Sequence, residues 1–336
     1  MSTRRVAVVT GGAGFIGSHM VDLLLDHGFK VRVIDNLATG REANLAHQSS
    51  HADLVLDRRD LRTIDSGDAI FSGVDFVLHF AGIGDIVPSV EEPTKYLSAN
   101  VMATVHALEA ARFRGVRKFV YAASSSCYGI AKQLPTTEEA EVSPEYPYAL
   151  SKYLGEHAVL HWGKVYRLPV ISLRIFNAYG PRSRTTGAYG AVFGVFLAQK
   201  LAGKPFTVVG DGTQSRDFVF VTDVTSAFLL AAESDRQNDI YNLGAGKPHS
   251  VNRLVELLGG GEVIHLPRRP GEPDCTWADI RKIGAHLNWS PIVSFEEGVA
   301  TMIRNIDYWR DAPVWDQMSI TEATRDWFTH MGVSSR

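Results

Sequence analysis

A tyrosine and a lysine stand four residues apart in the run Tyr148-Ala149-Leu150-Ser151-Lys152. On a helix, residues at i and i+4 lie on one face, about one turn apart. An ammonium group beside a phenol favours the phenolate and lowers the pKa of the tyrosine. Because a phenolate near neutral pH is a useful general base for an alcohol, the pair predicts proton abstraction from a hydroxyl group.

Three consecutive serines, Ser124 to Ser126, follow a predicted strand that ends at Tyr121. In an open parallel sheet, ligands bind outside the carboxyl ends of the strands. Hydroxyl groups there can hydrogen-bond a substrate oxygen, so we assign Ser124 to the same catalytic group as the tyrosine and the lysine. The alternative is a set of turn or N-cap serines, which stays open for Ser125 and is disfavoured for Ser124.

A glycine-rich loop lies between the first predicted strand and the first predicted helix, from Thr10 to Gly17. Gly12, Gly14 and Gly17 follow the G-x-G-x-x-G pattern, and Gly11, Gly14 and Gly17 recur every third residue. A tight turn, a close backbone approach to a pyrophosphate and close helix–strand packing each exclude a Cβ. The free N–H groups of the following helix then face the phosphates. Strand, loop and helix together predict a dinucleotide-binding site.

An acidic residue, Asp35, ends the second predicted strand. A carboxylate there can accept both ribose hydroxyls of NAD, and it would repel the extra phosphate of NADP. Arg41 lies nearby and could serve a 2′-phosphate, but the position of the acid favours NAD. The charge of oxidised nicotinamide would join that of Lys152 in lowering the pKa of Tyr148. Asp57, after a third apolar stretch, either contacts the adenine or caps a loop.

Short apolar runs alternate with helical patterns through the first half of the chain. Strands that alternate with helices predict parallel βαβ units with right-handed crossovers. Continuously apolar strands predict helices on both faces of the sheet. The expected fold class is therefore α/β, with a Rossmann-type doubly wound parallel sheet. The predicted strands are 6–9, 31–34, 76–80, 118–121 and 170–174, and the predicted helices are 15–26, 100–113 and 147–163.

The second half of the chain changes character. Residues 181–190 are rich in Gly, Ser, Thr and Arg and predict a loop, and the later elements are shorter and mixed. We assign residues 1–180 to an NAD-binding Rossmann domain, with a returning segment near 216–240. We assign residues 181–336 to a smaller, interleaved, mixed α/β lobe that binds the substrate.

The tail after Pro313 predicts one more helix. Ser319 and Glu322 have the spacing of a capping box. We expect this helix to pack on the body of the protein, with a dimer contact as the alternative. The residues that could form its apolar face are Ile320, Ala323, Trp327 and Phe328.

Composition sets the broad class of the protein. The 336 residues are 45% hydrophobic and 21% charged with a net charge of −3, and no basic stripe or like-charge tail points to nucleic acid or to a partner arm. Cys127 and Cys275 lie far apart without metal-type spacing, so we expect no metal, no disulfide framework and a reducing cytoplasm. The first apolar run, Val6 to Val9, is too short for a signal peptide. No 18-residue apolar stretch occurs in the sequence, so we expect a soluble protein without a membrane span.

The motifs described above occur together with several other short motifs along the chain. They are the glycine loop, Asp35, 79–82, Asn100, 124–129, Tyr148 with Lys152, 173–177, 216–218, Asp223, 242–244 and 269–272. Together, over about residues 5–300, they resemble the extended short-chain dehydrogenase/reductase family. Within that family the chain looks most like the UDP-sugar 4-epimerases, including the branch that acts on N-acetylated sugars.

This resemblance implies a mechanism. Tyr148 takes the proton from the sugar 4-hydroxyl while the hydride passes to NAD, and Ser124 hydrogen-bonds that oxygen and relays the proton. Lys152 holds the nicotinamide ribose and keeps Tyr148 acidic. The 4-keto sugar turns over in the site, hydride returns to its other face, and NAD is regenerated. The implied NAD-binding residues are Gly11, Gly14, Phe15, Ile16, Gly17, Asp35, Asn36, Asp57, Phe80, Ala81, Gly82, Asn100, Tyr148 and Lys152.

The resemblance also implies a nucleotide-sugar substrate, a UDP-sugar first. Asn177, Arg216 and Arg269 match residues that hold the diphosphate, and forked guanidinium donors fit paired oxygens. Thr276 stands where galactose-specific relatives carry a bulky tyrosine, which leaves room for a 2-acetamido group. The implied substrate-binding residues are Ser124, Ser125, Ser126, Phe176, Asn177, Val192, Arg216, Arg269, Glu272 and Thr276.

Other reactions of the family stay open at this stage. Sugar 4,6-dehydratases carry an Asp-Glu pair, and decarboxylases a Glu, directly after the active-site Ser or Thr. Ser125 and Ser126 stand there, which favours an epimerase, although Glu138 and Glu139 could substitute. A 4-ketoreductase usually needs NADPH, against which Asp35 argues. A non-catalytic dinucleotide sensor is disfavoured, because such proteins usually lose the tyrosine or the lysine.

Oligomeric state and the exact sugar depend on less specific features. Family members often dimerise through the helices that match 100–114 and 148–163, and we expect a homodimer, with deeper core packing of the same helices as the alternative. Gly84 stands where many epimerases have a larger or charged residue. About the last 25 residues match no family element.

Overall fold

The computed structural model describes residues 4–183 and 191–332. Of the predicted loop 181–190, residues 184–190 lie outside this description. Across the described ranges, the strands are β1 Val6–Thr10, β2 Lys30–Ile34, β3 Leu54–Asp57, β4 Phe76–His79, β5 Lys118–Ser124, β6 Val170–Ile175, β7 Asn177–Tyr179, β8 Phe206–Val209, β9 Ser215–Arg216, β10 Phe218–Phe220, β11 Asp239–Leu243, β12 His249–Ser250 and β13 Val263–Leu266.

The helices alternate with these strands in the first half of the chain. The α-helices are α1 Phe15–Asp26, α2 Pro88–Glu91, α3 Pro93–Leu97, α4 Ala103–Phe113, α5 Pro147–Tyr166, α6 Val192–Leu201, α7 Val221–Glu233, α8 Val251–Leu257, α9 Arg281–Leu287, α10 Phe295–Arg304, α11 Gln317–Ala323 and α12 Arg325–Met331. Short 3-10 turns cover Glu42–Gln48, Leu61–Thr63, Ala69–Phe71, Ser125–Tyr128 and Ile306–Trp309, and a π turn covers Ser98–Met102.

A seven-stranded sheet in the described part of the chain has the order β11-β6-β5-β4-β1-β2-β3. All of its strand pairs are parallel. The apolar side chains of α1, α7 and α9 bury one face, and those of α4 and α5 bury the other. The predicted doubly wound Rossmann-type sheet is therefore confirmed, and its cause is the continuous burial of its central strands, of which β5 is buried at every residue.

The order of the strands determines at which edge of the sheet a ligand can bind. The chain runs from β1 outward to β3 and then returns to start β4 on the other side of β1, and ligands bind at such a switch point, outside the carboxyl ends of the strands. Thr10 ends β1 beside His79 of β4, and Ser124 ends β5 beside Ile175 of β6. The glycine loop, the loop after β4 and the serine cluster therefore open on the same edge of the sheet.

A second hydrophobic core lies in the C-terminal half. Phe193, Phe196, Phe218, Phe295 and Trp309 are buried in it. Two-stranded sheets flank it: β7 with β10, β8 with β13, and β9 with β12. Between these elements, α7 and β11 return to the large sheet, where β11 pairs with β6. In the residues for which a structure is given, no helix is both long and apolar enough to cross a membrane.

The C-terminal tail departs from its predicted start. Asp316, rather than Ser319, caps α11: its side chain accepts the N–H of Ser319, and the Ser319 hydroxyl accepts the N–H of Asp316. The predicted single helix is two helices, because the chain breaks regular geometry at Thr324. Ile320 and Trp327 are buried in the second core, which confirms packing on the body.

Candidate active site

The glycine loop after β1 is closed tightly on three sides. A Cβ at Gly11 would lie 2.7 Å from the backbone nitrogen of Ala81, one at Gly12 would lie 2.7 Å from a Val33 methyl, and one at Gly17 would lie 2.2 Å from the Gly11 carbonyl oxygen. Gly14 is the N-cap of α1 and offers no side chain to cap it. The first N–H groups of α1, at Phe15 and Ile16, have no partner within the helix, and such groups suit a pyrophosphate.

Alanine at Gly17 should therefore weaken dinucleotide binding. Its Cβ would overlap the Gly11 carbonyl and force the loop backbone to move. We expect the affinity for NAD, measured by calorimetry, to fall by roughly tenfold or more, a loss of at least ~1.4 kcal/mol. Gly84→Ala is the control, since a Cβ there would meet nothing within 4 Å in the described structure. Equal affinity in both variants would contradict the assignment of the loop.

Asp35 lies just past the end of β2 and is buried. Its carboxylate accepts the backbone N–H groups of Ala13 and Leu37 at 2.9 and 2.8 Å, and burial raises its pKa. A Cβ at Gly40 would lie 2.8 Å from both carboxylate oxygens. The carboxylate is thus fixed beside the glycine loop, where the residues present fit the ribose end of a dinucleotide.

The neighbours of Asp35 are held by other protein groups. Asn36 donates to Asp60 at 2.9 Å. Asp57 accepts hydrogen bonds from two nitrogens of the Arg59 guanidinium, so its carboxylate orders a loop whether or not it contacts adenine. The Arg41 guanidinium lies 5.1 Å from the centroid of the Tyr308 ring. Sequence patterns gave no sign of this last contact, which joins the C-terminal half to the cofactor half.

The loop after β4 packs directly against the glycine loop. The ring of Phe80 packs on Phe228, with 4.4 Å between centroids, and Ala81 lies against Gly11. Asn100 is fully buried, and its side chain bonds both backbone groups of Ile83 (2.7 and 3.1 Å) and the Ser151 hydroxyl (2.8 Å). These contacts make Asn100 a clamp between this loop and α5; its predicted contact with cofactor stays a prediction.

A chain of hydroxyl groups joins the predicted catalytic residues. A hydrogen bond links the side chains of Tyr148 and Ser124, and Ser124 donates to the Ser126 hydroxyl at 2.9 Å. A further hydrogen bond links Ser126 to Tyr146. The Tyr148 ring is stacked on that of Tyr146, with centroids 6.4 Å apart, and meets Tyr96 edge-on. The structure therefore brings the serine cluster and the predicted base together.

Ser124 also has a second role, the N-cap role that the sequence analysis disfavoured for it. Its hydroxyl accepts the N–H of Ser126 at 3.2 Å and so caps the 3-10 turn Ser125–Tyr128. The disfavoured interpretation is therefore the correct one for Ser124, and Ser125 is the first residue of the turn rather than its cap. Capping and the bond to Tyr148 fix the same hydroxyl, which rigidifies it at the carboxyl end of β5.

Burial dominates the electrostatics of Tyr148 and Lys152. It raises the pKa of Tyr148, against the opposing effect of the Ser124 hydrogen bond. It lowers the pKa of the buried Lys152 ammonium to about 7, against the opposing effect of Glu156. The expected lowering of the Tyr148 pKa is therefore not a property of the protein side chains alone. It requires a cationic cofactor beside the phenol, because desolvation opposes every charge in this site.

The lowered pKa of Lys152 makes a stability prediction. Lys152 has a pKa of about 7 when folded and about 10.4 when unfolded. The unfolded chain holds more protons between these values, so the free energy of unfolding rises with pH across this window. Lys152→Met removes this titration. We expect the variant to melt at a higher temperature than the wild type at pH 7, with the difference shrinking toward pH 10.

Thermal unfolding of the cofactor-free protein from pH 7 to 10 measures this effect. Lys204→Met, at an exposed lysine, is the control and should show no such trend. A Lys152→Met difference that stays constant over this pH range would contradict the lowered pKa.

A buried ion pair between β6 and α5, the helix that carries Tyr148 and Lys152, was missed by sequence reasoning. Arg174 on β6 and Glu156 on α5 pair at 2.6 Å, with side chains 4% and 2% exposed. Ser172 donates to Glu156 at 2.8 Å, and Arg174 donates to the Tyr128 hydroxyl at 2.9 Å. The available signals were an arginine inside an apolar strand and a glutamate one turn after Lys152. The pair fixes α5 against the sheet.

The predicted substrate side has two clusters. In the first, Glu272 lies 3.7 Å from Arg216 and 2.9 Å from Arg269. Two guanidiniums share one carboxylate, so the cluster keeps a net positive charge that suits a diphosphate. In the second, Thr276 donates to the Asn177 side chain at 2.8 Å. The structure thus groups five of the ten predicted substrate residues into two clusters.

Two further predicted substrate residues, Phe176 and Val192, belong to neither of these clusters. Phe176 is buried in a small cluster with Cys127 and Tyr128. Val192 is the first residue of α6 and packs partly against the second core. Their predicted contact with substrate stays a prediction.

Asp217 is a further residue that sequence reasoning did not assign. It is fully buried and accepts the N–H groups of Ala245, Gly246 and Ala278. These bonds hold the turn after β11 beside Arg216, so Asp217 supports the first cluster.

Comparison with known proteins gives the class of the chain. The model of the NAD dependent epimerase/dehydratase family matches residues 7–244. The chain belongs to this family. The match confirms the predicted NAD-dependent enzyme class and the resemblance found in the sequence motifs.

Individual relatives cover nearly the whole chain. The UDP-glucose 4-epimerase of Mycolicibacterium smegmatis is 34% identical over 316 residues, which are 90% of this chain and 98% of the relative. The structure of the UDP-N-acetylglucosamine 4-epimerase of Methanobrevibacter ruminantium, in complex with UDP-N-acetylmuramic acid, matches with a TM-score of 0.86 at 33% identity, covering 91% of this chain and 99% of that one. The UDP-glucuronic acid 4-epimerase of Bacillus cereus, in complex with UDP-glucuronic acid and NAD, matches with a TM-score of 0.84 at 31% identity, covering 90% and 99%.

Proposed function

We propose that this protein is a UDP-sugar 4-epimerase that works with bound NAD. The observation that carries the proposal is the hydroxyl chain from Tyr148 through Ser124 to Ser126, at the carboxyl edge of the sheet beside the glycine loop. Two serines follow Ser124 where an elimination would need an acid. Names of relatives at 31–34% identity support the same reaction.

The catalytic residues move one proton and hold one oxygen. Tyr148 accepts the proton of the sugar 4-hydroxyl, and Ser124 hydrogen-bonds that oxygen. The bonds from Ser124 to Ser126 and from Ser126 to Tyr146 give the proton a path along hydroxyl groups. Lys152 holds the nicotinamide ribose and, when charged, favours the phenolate of Tyr148. When bound, NAD supplies reversible hydride transfer at the sugar C4.

The cofactor is proposed to bind in a cleft along the glycine loop and the loop after β4. Gly11, Gly14, Phe15, Ile16 and Gly17 receive the pyrophosphate. The fixed carboxylate of Asp35 receives the ribose hydroxyls. The remaining residues proposed to line the cleft are Asn36, Asp57, Phe80, Ala81, Gly82, Asn100, Tyr148 and Lys152.

The substrate is proposed to lie between the two halves of the molecule. Residues 1–180, with the returning elements α7 and β11, form the NAD-binding domain, and the rest of residues 181–336 form the nucleotide-sugar lobe. Arg216, Arg269 and Asn177 hold the diphosphate. Thr276, a small side chain bonded to Asn177, leaves space for a 2-acetamido group. Ser125, Ser126, Phe176, Val192 and Glu272 complete the proposed set.

The second candidate is a dehydratase or decarboxylase of the same family. This reaction would need an acid, and Glu138 is one residue that could supply it. The carboxylate of Glu138 accepts the N–H of Asn242 at 2.8 Å, which holds this side chain on β11. Product analysis after incubation with UDP-glucose, dTDP-glucose and UDP-glucuronic acid separates the reactions. An epimer of unchanged mass supports the proposal. Loss of water or carbon dioxide would replace it with the second candidate.

We further propose a homodimer, in the cytoplasm, as the active form. Met102, Phe113, Leu150 and Leu154, on or next to α4 and α5, are 39–61% exposed, which is a large apolar surface for two neighbouring helices. Leu150→Asp with Leu154→Asp should yield a monomer in sedimentation experiments. Ile292→Asp, at an exposed apolar residue elsewhere, should leave the mass unchanged. A wild type that sediments as a monomer would overturn the proposal.

A further inference from the structure

The C-terminal tail places a tryptophan against the predicted active site. Trp327, on α12, is 1% exposed. Its indole N–H donates to the Pro270 carbonyl at 3.0 Å. Its ring lies 5.3 Å from that of Tyr146, centroid to centroid. Trp327 thus makes one polar and one aromatic contact, to two different parts of the site.

The polar contact involves the turn that carries the diphosphate cluster, which is the group Arg216, Arg269 and Glu272. Pro270 directly follows Arg269, and the next residue, Gly271, has a φ of +77°, so this turn has a backbone that few other residues adopt. A Cβ at Gly271 would lie 3.0 Å from the methyl group of Met331, also on α12. The tail therefore holds the turn between Arg269 and Glu272 at two points. Movement of this turn would move both side chains.

The aromatic contact reaches the catalytic hydroxyls. Tyr146 stacks on Tyr148 with 10° between their planes, and it also bonds Ser126. Trp327 therefore contacts Tyr146, and Tyr146 in turn contacts both the proposed base Tyr148 and Ser126 of the hydroxyl chain. Sequence patterns alone placed Trp327 only on an apolar helix face.

We propose that Trp327 is a positioning residue of the nucleotide-sugar site, acting through Pro270 on the diphosphate cluster and through Tyr146 on Tyr148. The tail is then a wall of the substrate site rather than a passive cover of the core. This inference rests on the proposed epimerase function. It assigns to the tail, which matched no family motif, a part in binding and in turnover.

Two substitutions separate the two contacts. Trp327→Phe keeps an aromatic ring beside Tyr146 but removes the donor to Pro270. The lost hydrogen bond holds the turn that carries Arg269, so the turn should adopt its binding conformation less often. We therefore expect the Kd for UDP and the KM for the sugar nucleotide to rise about threefold to tenfold, with kcat changed less than twofold. Trp327→Ala also removes the ring, and misplacement of Tyr148 should lower kcat by about tenfold to a hundredfold.

The control is Phe328→Ala, the next residue on α12, whose side chain is 37% exposed. It should leave Kd, KM and kcat as in the wild type. UDP binding by calorimetry and turnover of UDP-glucose and UDP-N-acetylglucosamine are measured for all four proteins. A Trp327→Phe variant with wild-type Kd and KM overturns the proposal, and it decides the matter if Trp327→Ala does not fold. A wild type that neither binds UDP nor turns over a UDP-sugar overturns the proposed function itself.

Discussion

Tyr148→Phe is expected to lower kcat by about 10²- to 10⁴-fold, the usual contribution of a general base, while bound NAD is retained. The substitution removes one hydroxyl and keeps the ring that stacks on Tyr146. The Ser124 hydroxyl loses its bond to the phenol but keeps its bonds to Ser126. Turnover is followed by NMR of the sugar nucleotide, and NAD content by absorbance after protein denaturation.

A matched variant shows whether the loss belongs to the site. Tyr166→Phe removes the same group from the far end of α5, where the side chain is 46% exposed, and turnover should stay within twofold of the wild type. Unchanged turnover in Tyr148→Phe would remove Tyr148 from the mechanism. Loss of NAD from that variant would mean that the phenol is needed for cofactor binding, and the fall in kcat would then no longer measure proton transfer.

Glu156→Gln is expected to cost about 3–5 kcal/mol of the free energy of unfolding, because it leaves the buried Arg174 charge without its partner. The two side chains are almost fully buried and bond further to Ser172 and Tyr128. Urea unfolding, with the midpoint and slope compared to the wild type, measures the loss. The same variant should lower the pKa of Lys152 further, since the Glu156 charge is what opposes its burial.

An exposed ion pair on a short helix provides the comparison. Lys95 pairs with Glu92 at 2.8 Å, with both side chains at least half exposed, and Lys95→Met should cost at most about 1 kcal/mol. A loss of this size in Glu156→Gln would mean that the buried pair is not what holds α5 on the sheet.

The sequence predicted the sheet and the glycine loop well for physical reasons. Parallel strands buried on both faces must be apolar throughout, so runs such as Val6 to Val9 stand out. Gly11 and Gly17 have no room for a Cβ in the structure, so their type is fixed by local geometry. Tyr148 and Lys152 were placed correctly on one helix because their spacing is itself helical.

Contacts between distant segments could not be predicted in this way. The bond from Trp327 to Pro270 joins residues 57 apart, and the bond from Tyr308 to Asn44 joins residues 264 apart. The hydrophobic periodicity of the sequence indicates that a side chain is buried, but it does not indicate which residues that side chain contacts. The clamp made by Asn100, whose side chain bonds Ile83 and Ser151, depends likewise on tertiary packing. Most of the missed residues position the site rather than contact ligand in the proposal.

The most direct test of the central claim is the product formed from UDP-glucose and from UDP-N-acetylglucosamine, each incubated with purified protein without added cofactor and followed by NMR. The account predicts the 4-epimer of at least one sugar nucleotide, at an equilibrium reached from either epimer, with no net change in NADH absorbance. Both sugars unchanged, with NAD present and Tyr148 intact, would contradict it.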